Sequence, residues 1–249
     1  MKAFKFVIFI IQIALILANN NFSIIDNNNL ESTISFNIGD LSFEEMEGYH
    51  KIQSESKGLT DIIGEPEIPT YSFNYAIDGS KEYSITYTVN SFETFENVNL
   101  YPHQGIIENN VLNKNHNLYA SKEAYPTENL NYTRKSLRGY ELYGVQLIPF
   151  EYDFSNKKLK VYTSVDITIT ETGIRNNISN IPRSQTFENM YENFVINQND
   201  YQDNRDFQQP SILYIMEDYI SLIETLVEWR EKQGYVVEVI DRDDINGSF

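Results

Sequence analysis

The chain holds 249 residues, of which 36 are Asp or Glu and 19 are Lys or Arg, for a formal charge of −17 at neutral pH. So acidic a protein does not seek phosphate backbones, which argues against nucleic-acid binding. The absence of cysteine excludes disulfides and any thiol nucleophile within these residues, while 41% hydrophobic residues suffice for a packed core.

Residues 1–18 read as a signal peptide. Lys2 and Lys5 precede an uncharged apolar run from Phe6 to Leu17, and Ala18 offers a small residue before Asn19-Asn20-Asn21. The run falls short of the ~20 residues a spanning helix needs. Membrane contact is therefore expected only through this leader during export, and the expected destination is secreted, extracellular or cell-surface.

Residues 19–63 form an N-terminal lead-in. Asn19 to Asp40 is Asn-rich and reads as loose, with one short strand over Ser32–Ile38; Leu41 to Ser56 is acidic and reads as a brief helix or an edge segment. GEPEIP, Gly64 to Pro69, opens a β-rich core spanning 64–182, because two prolines three apart force an extended path. Tyr71, Phe73, Tyr75 and Ile77 alternate with polar residues, and so do Tyr83, Ile85, Tyr87 and Val89. Turn residues Asp78 to Glu82 lie between, so the pattern predicts a hairpin. Ser91 to Glu128 is weakly patterned and predicts extended loop.

A longer alternation follows. Tyr143, Val145 and Leu147 alternate, the parity flips at Ile148-Pro149, and Phe150, Tyr152 and Phe154 continue. After a turn at Ser155 to Lys158, Leu159, Val161, Val165, Ile167 and Ile169 share one parity. The expectation is one long hairpin with a bulge at Pro149. From 183 to 209 the chain reads as a linker, with a turn or two of helix over Phe187–Phe194 and an exposed polar run from Asn197 to Gln209. At Ser211 the grammar changes: SILYI reads as a buried strand, Tyr219, Leu222, Ile223, Leu226 and Trp229 stand at helical spacing, Gly234 suits a helix C-terminus, and Tyr235 to Ile240 reads as a second strand. This β-α-β unit cannot bury both faces of its strands alone. Residues 210–249 are therefore expected to begin a larger, here incomplete, α/β domain.

No catalytic constellation appears. His50, His103 and His116 are scattered without metal-ligand spacing, Asp241, Asp243 and Asp244 fail the calcium-loop pattern, and no glycine-rich turn follows the first strand of the β-α-β unit. No cofactor, metal or catalytic residue is expected.

The pieces and their order resemble the N-terminal part of a gingipain-type cysteine endopeptidase, peptidase family C25. GEPEIP resembles the extended start of the family's propeptide. RGYELYGVQLIPFEYDFSNKKLKVYTSVDITI, Arg138 to Ile169, is similar to its most characteristic block, and the segment from Ser211 resembles the opening β-α-β of the protease domain. The resemblance implies a mainly β fold: an antiparallel β-sandwich-like propeptide followed by the start of a caspase-like α/β domain. It also implies a zymogen whose propeptide covers the protease domain in cis, with protein or peptide substrates for the complete enzyme. Arg205 and Arg183 are the basic residues in the linker where a processing cut would fall, unless both are merely solvated arginines. The segment Ser91 to Asn131 is the candidate for reaching toward the active-site cleft. The alternative is a stand-alone secreted β-sandwich that binds or inhibits without catalysis.

Overall fold

A computed structural model of the chain describes residues 21–28, 30–56, 58–105, 112–137, 139–176, 182–198, 206–217 and 220–245. The leader at 1–18 and Arg205 lie outside them. The described residues build an antiparallel β-sandwich followed by a β-α-β unit.

The spine of the larger sheet is β12 (Lys158–Ile174), whose alternating sequence extends over 17 residues. On one side it pairs along its length with β7 (Lys81–Phe95). On the other it pairs first with β11 (Phe150–Asp153) and then with β2 (Glu31–Asn37). β1 (Phe22–Asn27) and the short β8 (Ala124–Tyr125) complete this sheet. The smaller sheet has the order β5 (Gly58–Leu59), β6 (Pro69–Ile77), β10 (Tyr140–Leu147), β9 (Leu130–Leu137). A separate hairpin joins β3 (Leu41–Met46) to β4 (Tyr49–Ser54), with Glu47 and Gly48 both at positive φ in the turn.

One apolar interior lies between the sheets. Ile34, Phe36, Val165 and Ile167 face it from the larger sheet, and Tyr71, Phe73, Val145 and Leu147 from the smaller. The core is rich in tyrosine, and the phenols find partners as buried polar groups must. Tyr75 OH donates to Ser32 Oγ at 2.5 Å, and Tyr152 OH donates to the Val98 carbonyl at 2.7 Å.

Two expected hairpins resolve differently. β6 and β7 do not pair with each other; the turn at Asp78 to Ser80 carries the chain from one sheet to the other. Likewise β10 pairs with β6 and β9, while β11 pairs with β12. The parity flip at Ile148-Pro149 is thus a sheet change rather than a bulge, and Leu147, Ile148 and Phe150 are all buried because the chain crosses the core edge there. The irregularities of the long arm sit instead around Thr163 and at Thr172, where the β12–β7 register shifts. The lead-in is more ordered than its composition suggests. Asn28 Oδ1 accepts from the backbone of Leu30 and Glu31, forming the turn that folds β1 onto β2.

At the other end, β13 (Ser211–Met216) and β14 (Val236–Asp241) form a parallel pair. They are joined by a 3-10 turn, Ile220–Ile223, and helix α3 (Glu224–Lys232); the two earlier helices are α1 (His116–Tyr119) and α2 (Gln185–Glu192). Gly234 has φ +90° and closes α3 as a left-handed C′ residue. No residue from Asp206 to Ile245 whose burial is described is buried, and Leu213, Ile215, Leu222 and Trp229 are each at least half exposed.

Burial pushes the Tyr83 and Tyr125 phenols up to about 12 and raises Tyr119 and Tyr162 further. The unfolded phenol titrates near ~10, so the native fold binds these protons more tightly. The resulting stabilisation is complete below pH ~10 and is lost as pH rises through about 12. The urea midpoint should fall across that window, and Tyr83→Phe with Tyr125→Phe should flatten the fall; an unchanged slope in the double variant would rule out these two groups as its source.

Candidate functional site

The segment 185–198, expected to belong to a linker, is packed against the smaller sheet. Tyr191 is 1% exposed and stacks on Tyr140 with ring centroids 4.8 Å apart, and its hydroxyl donates to the Glu141 carbonyl at 2.6 Å. Val195, Leu142 and Ala76 complete this second apolar cluster on the outer face.

The strap also closes a sheet edge. The register places the backbone groups of Asn74 and Ala76 on the side of β6 facing away from β10. Ile196 N–H donates to the Asn74 carbonyl at 3.0 Å. The Asn197 side chain then acts as a strand of one residue: its Oδ1 accepts from Ala76 N–H at 2.8 Å and its Nδ2 donates to the Ala76 carbonyl at 2.9 Å. Asn197 is accordingly buried, where the sequence pattern suggested exposed linker.

Arg183 stands at the entrance to this strap. Its guanidinium pairs with Glu188 and lies over the Phe207 ring, 4.2 Å from the centroid. Its backbone bridges to the far side of the junction, with N–H donating to the Asp206 carbonyl at 2.8 Å and C=O accepting from Gln208 N–H. Of the two sequence candidates, Arg183 is therefore engaged on both backbone and side chain. Arg205 lies outside the described residues.

At the sandwich rim, GEPEIP pairs with residues 101–103, consistent with the extended path its prolines impose. Glu67 N–H donates to the Tyr101 carbonyl at 2.8 Å, and His103 N–H donates to the Glu65 carbonyl at 2.7 Å. The buried Glu67 carboxylate collects Lys51 Nζ at 2.7 Å and His103 Nδ1 at 2.8 Å, joining β4, GEPEIP and the following loop. Beside it the Gln104 amide, also buried, ties to Asn113: Nε2 donates to the Asn113 carbonyl at 2.9 Å and Oε1 accepts from Asn113 N–H at 2.7 Å. Lys114 adds a cation–π contact, 4.4 Å over Tyr119. Gln104 and Asn113 are thus held to each other, and Lys114 to Tyr119. No group of three or more His, Cys, Asp or Glu among the described residues converges on a metal-binding arrangement. Sequence reasoning missed Glu67 and Asn197, whose partners lie far along the chain, and Gln104, whose partner Asn113 lies nine residues on.

The model of the C25 propeptide family (Propeptide_C25) matches residues 19–196. Gingipain R1 of Porphyromonas gingivalis is 23% identical over 243 residues, covering 87% of this chain and 24% of its own length. Gingipain R1 of a named strain of the same organism shows the same identity with 14% of its length covered, so the chain spans a quarter or less of these relatives. Among solved structures, the complex of P. gingivalis RgpB pro- and mature domains aligns with a TM-score of 0.64 and 20% identity, over 73% of this chain and 100% of that one. A structure concerned with zymogenic latency of gingipain K from P. gingivalis aligns with a TM-score of 0.52 and 19% identity, over 63% and 95%. At these identities the alignments establish the fold.

Asn197→Ala should leave two backbone groups of buried Ala76 without partners and cost about 2–3 kcal/mol in urea unfolding. Tyr191→Phe, which deletes one hydrogen bond and keeps the ring stack, should cost only about 1 kcal/mol. Gln104→Ala should remove both hydrogen bonds to the Asn113 backbone and cost about 1–3 kcal/mol in urea unfolding.

Proposed function

Because this chain belongs to the C25 propeptide family, we propose that its sandwich is the prodomain of a secreted cysteine endopeptidase precursor, holding the enzyme latent by covering its protease domain in cis. The observation that carries this reading is a coincidence of boundaries. The family match ends at Ile196, and the fold closes one residue later, where Asn197 seals the edge of β6. The two aligned structures are a complex of pro- and mature domains and a structure concerned with zymogenic latency, and this supports extending the arrangement here.

Under this reading the leader at 1–18 directs export, and the prodomain takes in residues 19–63, the β-rich core at 64–182 and the strap to 198. Residues 210–249 are the opening β-α-β of the protease domain, whose catalytic groups and preference for protein or peptide bonds reside outside these residues. The exposed apolar residues of β13 and α3 support that assignment, since a finished domain covers such faces. The stand-alone binding module is disfavoured, because it gives this unit no role.

Processing is assigned to Arg205 rather than Arg183. A protease needs an accessible, extended segment, and Arg183 is tied by Glu188, Phe207 and two backbone bonds. A cut at Arg183 would also separate the strap from the sheet edge it closes. Two measurements test the proposal. Purified residues 19–198 should inhibit the mature protease of the same precursor when added at about 10 μM, and full activity at that concentration would refute the inhibitory role. Arg205→Ala should block maturation of the precursor and Arg183→Ala should not; the reverse pattern would move the cut to Arg183.

A further inference from the structure

The two edges of the smaller sheet are treated differently. β6 is closed by Gly58–Leu59 and by the strap, through Ile196 and Asn197. β9, at the opposite edge, has no strand beyond it among the described residues. Ile148 N–H donates to the Asn129 carbonyl at 2.7 Å. The ladder therefore aims the backbone of Asn131, Thr133 and Lys135 at β10, and that of Leu130, Tyr132 and Arg134 outward. The same alternation on β10 and β6 predicts outward groups at Asn74 and Ala76, where the strap binds them. β9 is thus an eight-residue strand whose outward N–H and C=O groups have no strand partner among the described residues.

Beside this edge, on the outer face, lies a groove of about 320 Å3. Its floor is Gly144, where an added Cβ would come within 2.8 Å of Lys135 Nζ. Asn74, Asn131, Thr133, Gln146 and Lys135 line it, and no carboxylate does, in a protein with 36 acidic residues. Lys135 has no ion pair among the described residues. Across the strand on the other face, Tyr132 is 44% exposed and packs edge-on against Tyr143 at 5.8 Å.

We propose that β9 is a docking edge that adds an extended acidic strand from a partner protein, with backbone pairing at Leu130, Tyr132 and Arg134 and a partner carboxylate held by Lys135 over Gly144. Strand addition supplies affinity through the main chain, and side chains at alternate positions supply selection. The partner strand presents a carboxylate to the groove and, at alternate positions, an apolar residue to Tyr132. A second copy of this chain pairing through the same edge fits poorly, because β9, Leu130–Leu137, carries no Asp or Glu to offer Lys135. This inference stands apart from the latency reading, since it concerns the lateral edge of the sheet.

The test uses the 249-residue protein and fluorescent nine-residue peptides. One alternates Glu with Val, a second alternates Lys with Val, and a third is the Glu-Val peptide N-methylated at alternate residues on its pairing edge. The Glu-Val peptide should bind, the Lys-Val peptide should not, and N-methylation should abolish binding. Lys135→Glu should weaken it about tenfold or more. Tyr132→Pro removes an outward donor together with the ring that packs on Tyr143 but leaves the β10 ladder intact, so it should abolish binding with the fold unchanged by circular dichroism. No binding of the Glu-Val peptide at about 1 mM, equal binding of the N-methylated peptide, or binding indifferent to Lys135→Glu would each overturn the proposal.

Discussion

Everything in the sandwich depends on the pairing of β12 with three neighbours at once. Val165 and Ile167 face the core from its centre, flanked by Phe36 and Ile34 on β2 and by Val89 and Tyr87 on β7. A strand this long supports the sheet only if its apolar residues keep one parity, because a one-residue slip would turn the whole row to solvent. The irregularity at Thr163 is tolerated because Leu159 and Val161 before it and Val165 after it still reach the core. The smaller sheet then has one place to go, and the turns at Asp78–Ser80 and Ile148–Pro149 deliver its strands there.

Those crossings are reinforced by charge. Arg134 on β9 donates to the carbonyls of Gly79 and Lys81 at 3.0 and 2.9 Å and to Glu141 at 2.9 Å, so a single guanidinium joins the smaller sheet to the turn that leaves it. Three donors in a planar fork suit this task better than a lysine ammonium would. Arg175, at the end of β12, approaches the same Glu141 at 3.6 Å and draws the larger sheet into the network. A protein without disulfides holds its sheets together by such contacts and by its apolar interior.

Strand-forming segments were legible because alternation is local. The assignment of Tyr71–Ile77 and Tyr83–Val89 to strands followed from pattern, but their pairing did not. Alternation says which residues share a face and nothing about which strand lies alongside. The flip at Ile148 illustrates the same limit, since a bulge and a sheet change write the same parity break. The β3–β4 hairpin left a usable signal in Glu47-Gly48, where both residues adopt positive φ, although the acidic composition obscured it. At the junction, Arg183 was visible as a basic residue, while its engagement with Glu188 and Phe207 was not. Asn197 left no local trace, because an asparagine that completes a sheet edge is chemically identical to one in a linker. The β-α-β grammar after Ser211 was read correctly from hydrophobic runs and Gly234, since each of its signals lies within a few residues.

The sandwich has its own buried core, whereas the described residues of the β-α-β unit include no buried one. Native-state hydrogen exchange on the 249-residue protein tests this most directly. Amides of β2, β10 and β12 should exchange slowly and together, while those of β13 and β14 exchange orders of magnitude faster. Equal protection in β12 and β13 would contradict the account, for it would mean that the exposed β-α-β unit is already stable without a covering domain.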